Sequence, residues 1–189
     1  TVVTEEQYRT AVRLRDAVHR HPVAGKLLAE IGRAELSITW MHERTGIRIK
    51  SRFDWLCSAL TDLKTARDVS RQAFEGACIR YGYALQFALY HDGAVKIGAG
   101  PLPVKAIAAE KDEPNDVAVV SVTADVLDYG RRQYERALDL LAYCSSKNLW
   151  PGVAQDEVEL RLPPWVNTIN GQNNEATEEV WPWNEEAQP

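Results

Sequence analysis

The stretch IRIKSRFDWLCSALTDLKT, residues 47–65, decides the fold. Apolar and polar residues alternate on either side of Ser58, the pattern of two antiparallel strands joined by a tight turn. The first strand ends on Asp54 and the second carries Asp62 and Lys64. Side chains alternate along a strand, so Asp62 and Lys64 share one face while Leu63 points the other way. With the turn centred on Ser58, Asp54 lies opposite Asp62. An earlier strand, Glu35 to His42, meets this hairpin across a turn at Arg44 and Thr45, followed by Gly46. That register places Glu35 opposite Asp54, and a slip of one residue would break the arrangement.

Three acids then form a row across three neighbouring strands. Like charges directly opposite destabilise a sheet. A divalent cation is the natural compensation, since hard cations prefer oxygen ligands. Two carboxylates and a lysine on one sheet face suit a metal-dependent cut of a phosphodiester. On the middle strand Ile47, Ile49, Phe53 and Trp55 are expected to point into a core, and Arg48, Lys50, Arg52 and Asp54 away from it. On the first strand Leu36, Ile38 and Trp40 oppose Glu35, Ser37 and Thr39. The polar face would hold a polyanion by its phosphates through Arg48, Lys50 and Arg52, with the acids beside them. Taken singly, each of these residues reads as part of a solvated hairpin face, and Asp62 with Lys64 as a surface ion pair of little worth. The four residues together, Glu35, Asp54, Asp62 and Lys64, favour a metal site.

Asp54 followed by Asp62-Leu63-Lys64 resembles the PD-(D/E)xK nuclease signature, with Phe53 where that motif usually has proline. Residues 34–40 (AELSITW), Thr45-Gly46, Arg52-Phe53-Asp54, Asp62 to Thr65, and Tyr81-Gly82-Tyr83 with Gln86 and Tyr90 occur in the order of the exonuclease VIII (RecE-type) nuclease domain. Ala109-Glu110-Lys111, the segment from Cys144 to Gly152, and Leu162-Pro163-Pro164-Trp165 extend the resemblance over roughly residues 20 to 166. It implies a phage or prophage recombination exonuclease, dependent on Mg²⁺, with Mn²⁺ able to substitute. Such an enzyme degrades one strand of linear duplex DNA from its 5′ end and leaves a 3′ overhang for a single-strand annealing partner. By position, Glu35, Asp54 and Asp62 would be metal-associated carboxylates. Lys64 would orient or activate the attacking water. Gln86 and Tyr90 match the family's Q-x-x-x-Y element near the DNA, and Tyr83 shares their helix face. The family also has an upstream helix whose histidine joins the metal site. Neither His19 nor His21 sits in that pattern, so the expectation is that this chain alone cuts DNA weakly or not at all.

The fold expected is α/β, a central mixed sheet flanked by helices, of the restriction-endonuclease-like type. Residues 1–166 would form the nuclease domain, and residues 167–189 an acidic tail carrying Trp181 and Trp183. Helices are expected from Glu5 to about His19 behind a Thr4 cap, from Val23 to Ile31, and from Val69 to about Tyr90 behind Asp68. His91-Asp92-Gly93 is expected to close the last of these. Strands near Val104 to Ala109 and Val117 to Val122 flank a turn at residues 111–115. A long helix follows, from Thr123 or Asp125 to about Ser145, and then a short strand from Val158 to Leu162.

The 189 residues suffice for a sizeable core. Net charge is −5, unusual for a DNA binder, but it is unevenly spread. Residues 1–80 hold 14 Lys and Arg against 10 Asp and Glu, whereas residues 81–189 hold 8 against 17. The half carrying the motif is therefore basic, which suits local phosphate contact. Cys57, Cys78 and Cys144 lack metal-ligand spacing and read as reduced thiols of a cytoplasmic protein. No apolar run is long enough to span a membrane. The partners expected are DNA ends and other copies of the chain, since processive digestion suits a ring. Two other readings are a nuclease-fold module that binds DNA or protein without cutting, and a RecB-like repair nuclease.

Overall fold

The computed structural model describes residues 2–152, 154 and 156–161. The chain divides into two compact units, Thr1–Leu149 and Trp150–Pro189. Every helix and strand described lies in the first. Residues 158–161 form no strand, contrary to expectation. The tail with Trp181 and Trp183 lies outside the described residues.

Two helices open the unit, α1 (Glu5–Arg20) and α2 (Pro22–Ala29). Thr4 and Gln7 close a reciprocal capping box on α1. Pro22 does not merely stop α1: it occupies the first turn of α2, where its missing N–H costs nothing. His21 caps α2, its Nδ1 accepting from the Val23 and Ala24 N–H groups.

Then come β1 (Arg33–Met41), β2 (Arg48–Leu56) and β3 (Leu60–Ala66), α3 (Arg71–Arg80), α4 (Tyr83–Lys96), β4 (Val104–Glu110), β5 (Val117–Ser121) and α5 (Ala124–Lys147). The strands form one sheet in the order β1-β2-β3-β4-β5. Only β3 and β4 run parallel, joined by the α3–α4 crossover. The sheet is mixed and flanked by helices, as expected. On one side α1 packs through Val18 against Ile107 and Ala109. On the other, Phe53, Leu60, Phe74, Phe87 and Ala106 make the larger core beneath α3 and α4. Burying a Phe or Leu contributes about 1.5–3 kcal/mol each.

The crossover differs from the single helix expected between Val69 and Tyr90. Ser70, not Asp68, caps α3, and the helix breaks at Tyr81 and Gly82. Gly82 takes a left-handed conformation (φ 68°) and starts α4. At the other end, His91-Asp92-Gly93 does not close α4, which continues to Lys96. Gly93 is there for packing: a Cβ would come within 2.8 Å of the Trp40 ring. Likewise a Cβ on Gly130 would lie 1.9 Å from the Ala84 carbonyl oxygen, so this glycine lets α5 press onto α4.

Candidate active site

The site is built where the β1–β2 ribbon turns over. Ala34 pairs with Trp55 and Leu36 with Phe53, which leaves Glu35 facing Asp54 in the expected register. Glu35 has a left-handed backbone (φ 55°), costly for a residue with a Cβ and most often retained where geometry is needed for function. The turn-over reverses the alternation. Phe53 stacks toward Tyr90 of α4, ring centroids 5.4 Å apart. Trp55, two residues on, points to the other side and donates its indole N–H to the Leu27 carbonyl of α2 at 2.9 Å. The single apolar face expected for Ile47, Ile49, Phe53 and Trp55 is thus divided at Asp54.

The β2–β3 ladder is short. Trp55 pairs with Thr61 and Leu56 with Leu60. The same register carries Asp54 opposite Asp62, as expected, but there the side chain replaces the backbone. Asp54 Oδ2 accepts the Leu63 N–H at 2.8 Å. The carboxylate therefore sits at the opening between the two strands.

Asp62 and Lys64 share one face of β3, as the alternation requires, and that face lies under α4. Asp62 is only 2 % exposed. Its Oδ1 accepts from Gln86 Nε2 at 3.1 Å. Its Oδ2 lies 2.6 Å from Lys64 Nζ, an ionic contact without the alignment of a hydrogen bond, so this buried oxygen has no directed donor. Burial pushes the Asp62 carboxyl up, Lys64 opposes that, and the nearby Asp54 charge adds to it. Lys64 in turn donates to Gln86 Oε1 at 2.8 Å and lies 4.7 Å from the centre of the Tyr83 ring.

Asp62 and Lys64 therefore do not share a face with the basic stripe. Arg48, Lys50 and Arg52 are exposed and alternate with buried Ile49, Ser51 and Phe53, so they point away from the side holding Asp62 and Lys64. The turn-over at Glu35 and Asp54 is the reason. Arg52 still reaches the acidic row, by an ion pair to Glu35. Of the aromatic pair on α4, Tyr83 overlies Lys64, whereas Tyr90 packs on Phe53 in the core.

A cleft of about 550 Å³ opens between α1 and the sheet, with Glu35, Asp54, Trp55, Leu63 and Arg15 on its walls. Leu63 is 51 % exposed although it lies in the middle strand. His19 also lines this cleft, from the last turn of α1. Spacing in the sequence gave no sign of that, because His19 comes to this cleft only through the packing of α1 on β4. A larger groove, about 850 Å³, lies between α3, β5 and the start of α5 and holds none of these acids.

The donor set suits a hard cation in one respect. Asp54 and Asp62 are neighbouring carboxylates, and one buried oxygen lacks a directed donor. Among the described residues, no three or more His, Cys, Asp or Glu gather closely enough to hold a metal by themselves. The Asp54 and Asp62 pair would suit Mg²⁺, which is commonly bound through one or two carboxylates, with water and substrate phosphate completing its shell.

Comparison with solved structures finds the same fold in a protein from Eubacterium rectale named "Putative exonuclease". The TM-score is 0.65 at 15 % identity, over 89 % of this chain and 67 % of that one. No protein of curated function matches. No described helix is long and apolar enough to cross a membrane. A family model, the PDDEXK-like domain of unknown function (DUF3799), matches residues 2–160. That match spans most of the chain, and the chain belongs to this PDDEXK-like family.

Proposed function

We propose that this protein is a metal-dependent deoxyribonuclease that degrades one strand of linear duplex DNA from an end. One observation carries the reading: a nearly inaccessible aspartate, Asp62, faces Asp54 across a splayed strand pair, with the Lys64 ammonium 2.6 Å away. A buried acid with an upward-shifted carboxyl, tied to a lysine and set across from a carboxylate that lines an open cleft, is costly to keep for stability alone. Asp54 and Asp62 would hold Mg²⁺ or Mn²⁺, with Glu35 beside them. A metal held there would supply Lewis acidity, making a bound water more nucleophilic and stabilising the negative charge that develops on the phosphoryl and leaving oxygens. Lys64 adds fixed positive charge where the attacking water or phosphate would lie. Arg48, Lys50 and Arg52 supply phosphate contacts along the outer face of the hairpin. The name of the Eubacterium rectale protein favours an exonuclease. The resemblance to RecE-type exonucleases favours 5′ to 3′ polarity and a role in recombination, with an annealing protein and further copies of the chain as partners, and the reduced cysteines favour a cytoplasmic location.

The test is digestion of end-labelled linear duplex and of closed circular duplex with Mg²⁺. An exonuclease consumes only the linear substrate. Cleavage of the circle would identify an endonuclease or a repair nuclease of RecB-like type.

A second reading has its own observation: Glu35 is already paired with Arg52, and among the described residues no three His, Cys, Asp or Glu side chains gather to hold a metal. A module that binds DNA or protein without cutting would have these features. DNA binding with no metal-dependent cleavage would establish it.

A further inference from the structure

Gln86 stands in an unusual position. Its amide oxygen accepts from Lys64 Nζ at 2.8 Å and its amide nitrogen donates to Asp62 Oδ1 at 3.1 Å. The two neighbours fix the orientation of the amide, because an ammonium can only donate and a carboxylate only accept. Swapping the two ends would break both bonds. Gln86 reaches these groups from the first turn of α4, which exists because the crossover breaks at Tyr81 and Gly82. Tyr83, the first residue of that helix, lays its ring over the same ammonium. The ring is itself held by neighbours, with the Phe74, Tyr81 and Phe87 centroids 5.7–6.3 Å away.

We propose that Gln86 is a positioning residue that sets Lys64 against Asp62, that Tyr83 completes the same clamp, and that neither acts by contacting DNA. The proposal rests on the nuclease reading for its effect on catalysis, but not for the clamp itself. Without Gln86, Lys64 loses its one aligned hydrogen bond and Asp62 loses its donor. The ammonium on its flexible stem then explores other rotamers.

Three measurements on the full chain decide it: turnover at saturating duplex with Mg²⁺, duplex affinity without divalent metal, and the rate at which a small amine-acylating reagent labels Lys64, read by mass spectrometry. Gln86→Met keeps the length of the side chain and removes both polar ends. It should lower turnover about 10–100-fold, as losses next to a metal site typically do, leave duplex affinity unchanged, and speed labelling of Lys64. Gln86→Glu can still accept from Lys64 but cannot donate to Asp62. It should lose turnover, because the substitution removes the one donor to Asp62 and leaves two carboxylates side by side. Tyr83→Phe should lose less than Tyr83→Leu, since the ring face makes the contact. Weakened duplex binding with full turnover in Gln86→Met would make Gln86 a DNA contact and overturn the proposal. Unchanged Lys64 labelling in both Gln86→Met and Tyr83→Leu would also overturn it. If the unsubstituted chain cuts no DNA, the nuclease reading fails, and the labelling rates decide the clamp alone.

Discussion

Replacing Asp92 with asparagine should destabilise the protein by about 2 kcal/mol at neutral pH, and most of that cost should vanish in acid. Asp92 lies on α4 and is 23 % exposed. It accepts both arms of the Arg131 guanidinium, each at 2.7 Å, from α5. It also accepts from the Tyr134 hydroxyl and contacts His91 Nδ1 at 3.0 Å. Burial alone would raise its carboxyl, but Arg131, Tyr134 and His91 outweigh it and bring the pKa from 3.8 to about 2. At about 1.4 kcal/mol per unit, that lowering corresponds to roughly 2 kcal/mol. The folded pKa lies below the unfolded one, so this stability is fully present above pH 3.8 and is lost as pH falls through 2. About half should be gone near pH 3. Urea unfolding of the protein and of Asp92→Asn at pH 7, 4, 3 and 2 isolates the term, because other carboxylates titrate alike in both. The gap between the two should narrow steadily below pH 4. A gap that stays constant from pH 7 to 2 would show that the charge of Asp92 contributes nothing, and the reasoning would fail. The pair matters beyond stability, since it fixes α4, the helix that carries Gln86, against α5.

Other outcomes follow from the same geometry. Lys64→Ala should lower turnover at saturating DNA far more than affinity, because phosphate binding is spread over many basic groups. A loss confined to affinity would make Lys64 a phosphate contact. Neutralising Arg48 or Lys50 should weaken duplex binding at every sequence and reduce the slope of log affinity against log salt by about 1 each. An unchanged slope would place the DNA elsewhere. Gly93→Ala should cost about 1–3 kcal/mol by overpacking, because the new methyl meets the Trp40 ring at 2.8 Å and Ile38 Cδ1 at 3.0 Å. Thermal unfolding checks it, and a neutral substitution would mean that Trp40 shifts freely.

The hairpin and its registers were legible because apolar alternation and turn residues act locally. Residues 47–65 therefore gave the opposition of Asp54 to Asp62, and the turn before Gly46 that of Glu35 to Asp54. The faces were not legible. Strict alternation assumes regular strands, and the ribbon turns over at a left-handed Glu35, a residue whose type gives no warning. That single event moved Trp55 to the α2 side and separated Arg48, Lys50 and Arg52 from Asp62 and Lys64. The break between α3 and α4 did leave a signal, Gly82, which was outweighed by helical periodicity on both sides. Gly93 misled in the opposite sense, since a glycine after His91 and Asp92 resembles a helix stop, yet here it makes room for Trp40. The position of His19 depends on how α1 packs across β4, and no spacing within one segment encodes that.

The most direct test compares the protein with Asp62→Asn on end-labelled linear duplex, with Mg²⁺ and with excess chelator, after confirming that both fold alike. The unsubstituted protein should shorten the labelled strand only with the metal present, and Asp62→Asn should be inactive under both conditions while still binding the duplex. Cleavage by Asp62→Asn at the full rate, or cleavage that persists in chelator, would contradict the assignment of this buried aspartate as the centre of a metal-dependent nuclease.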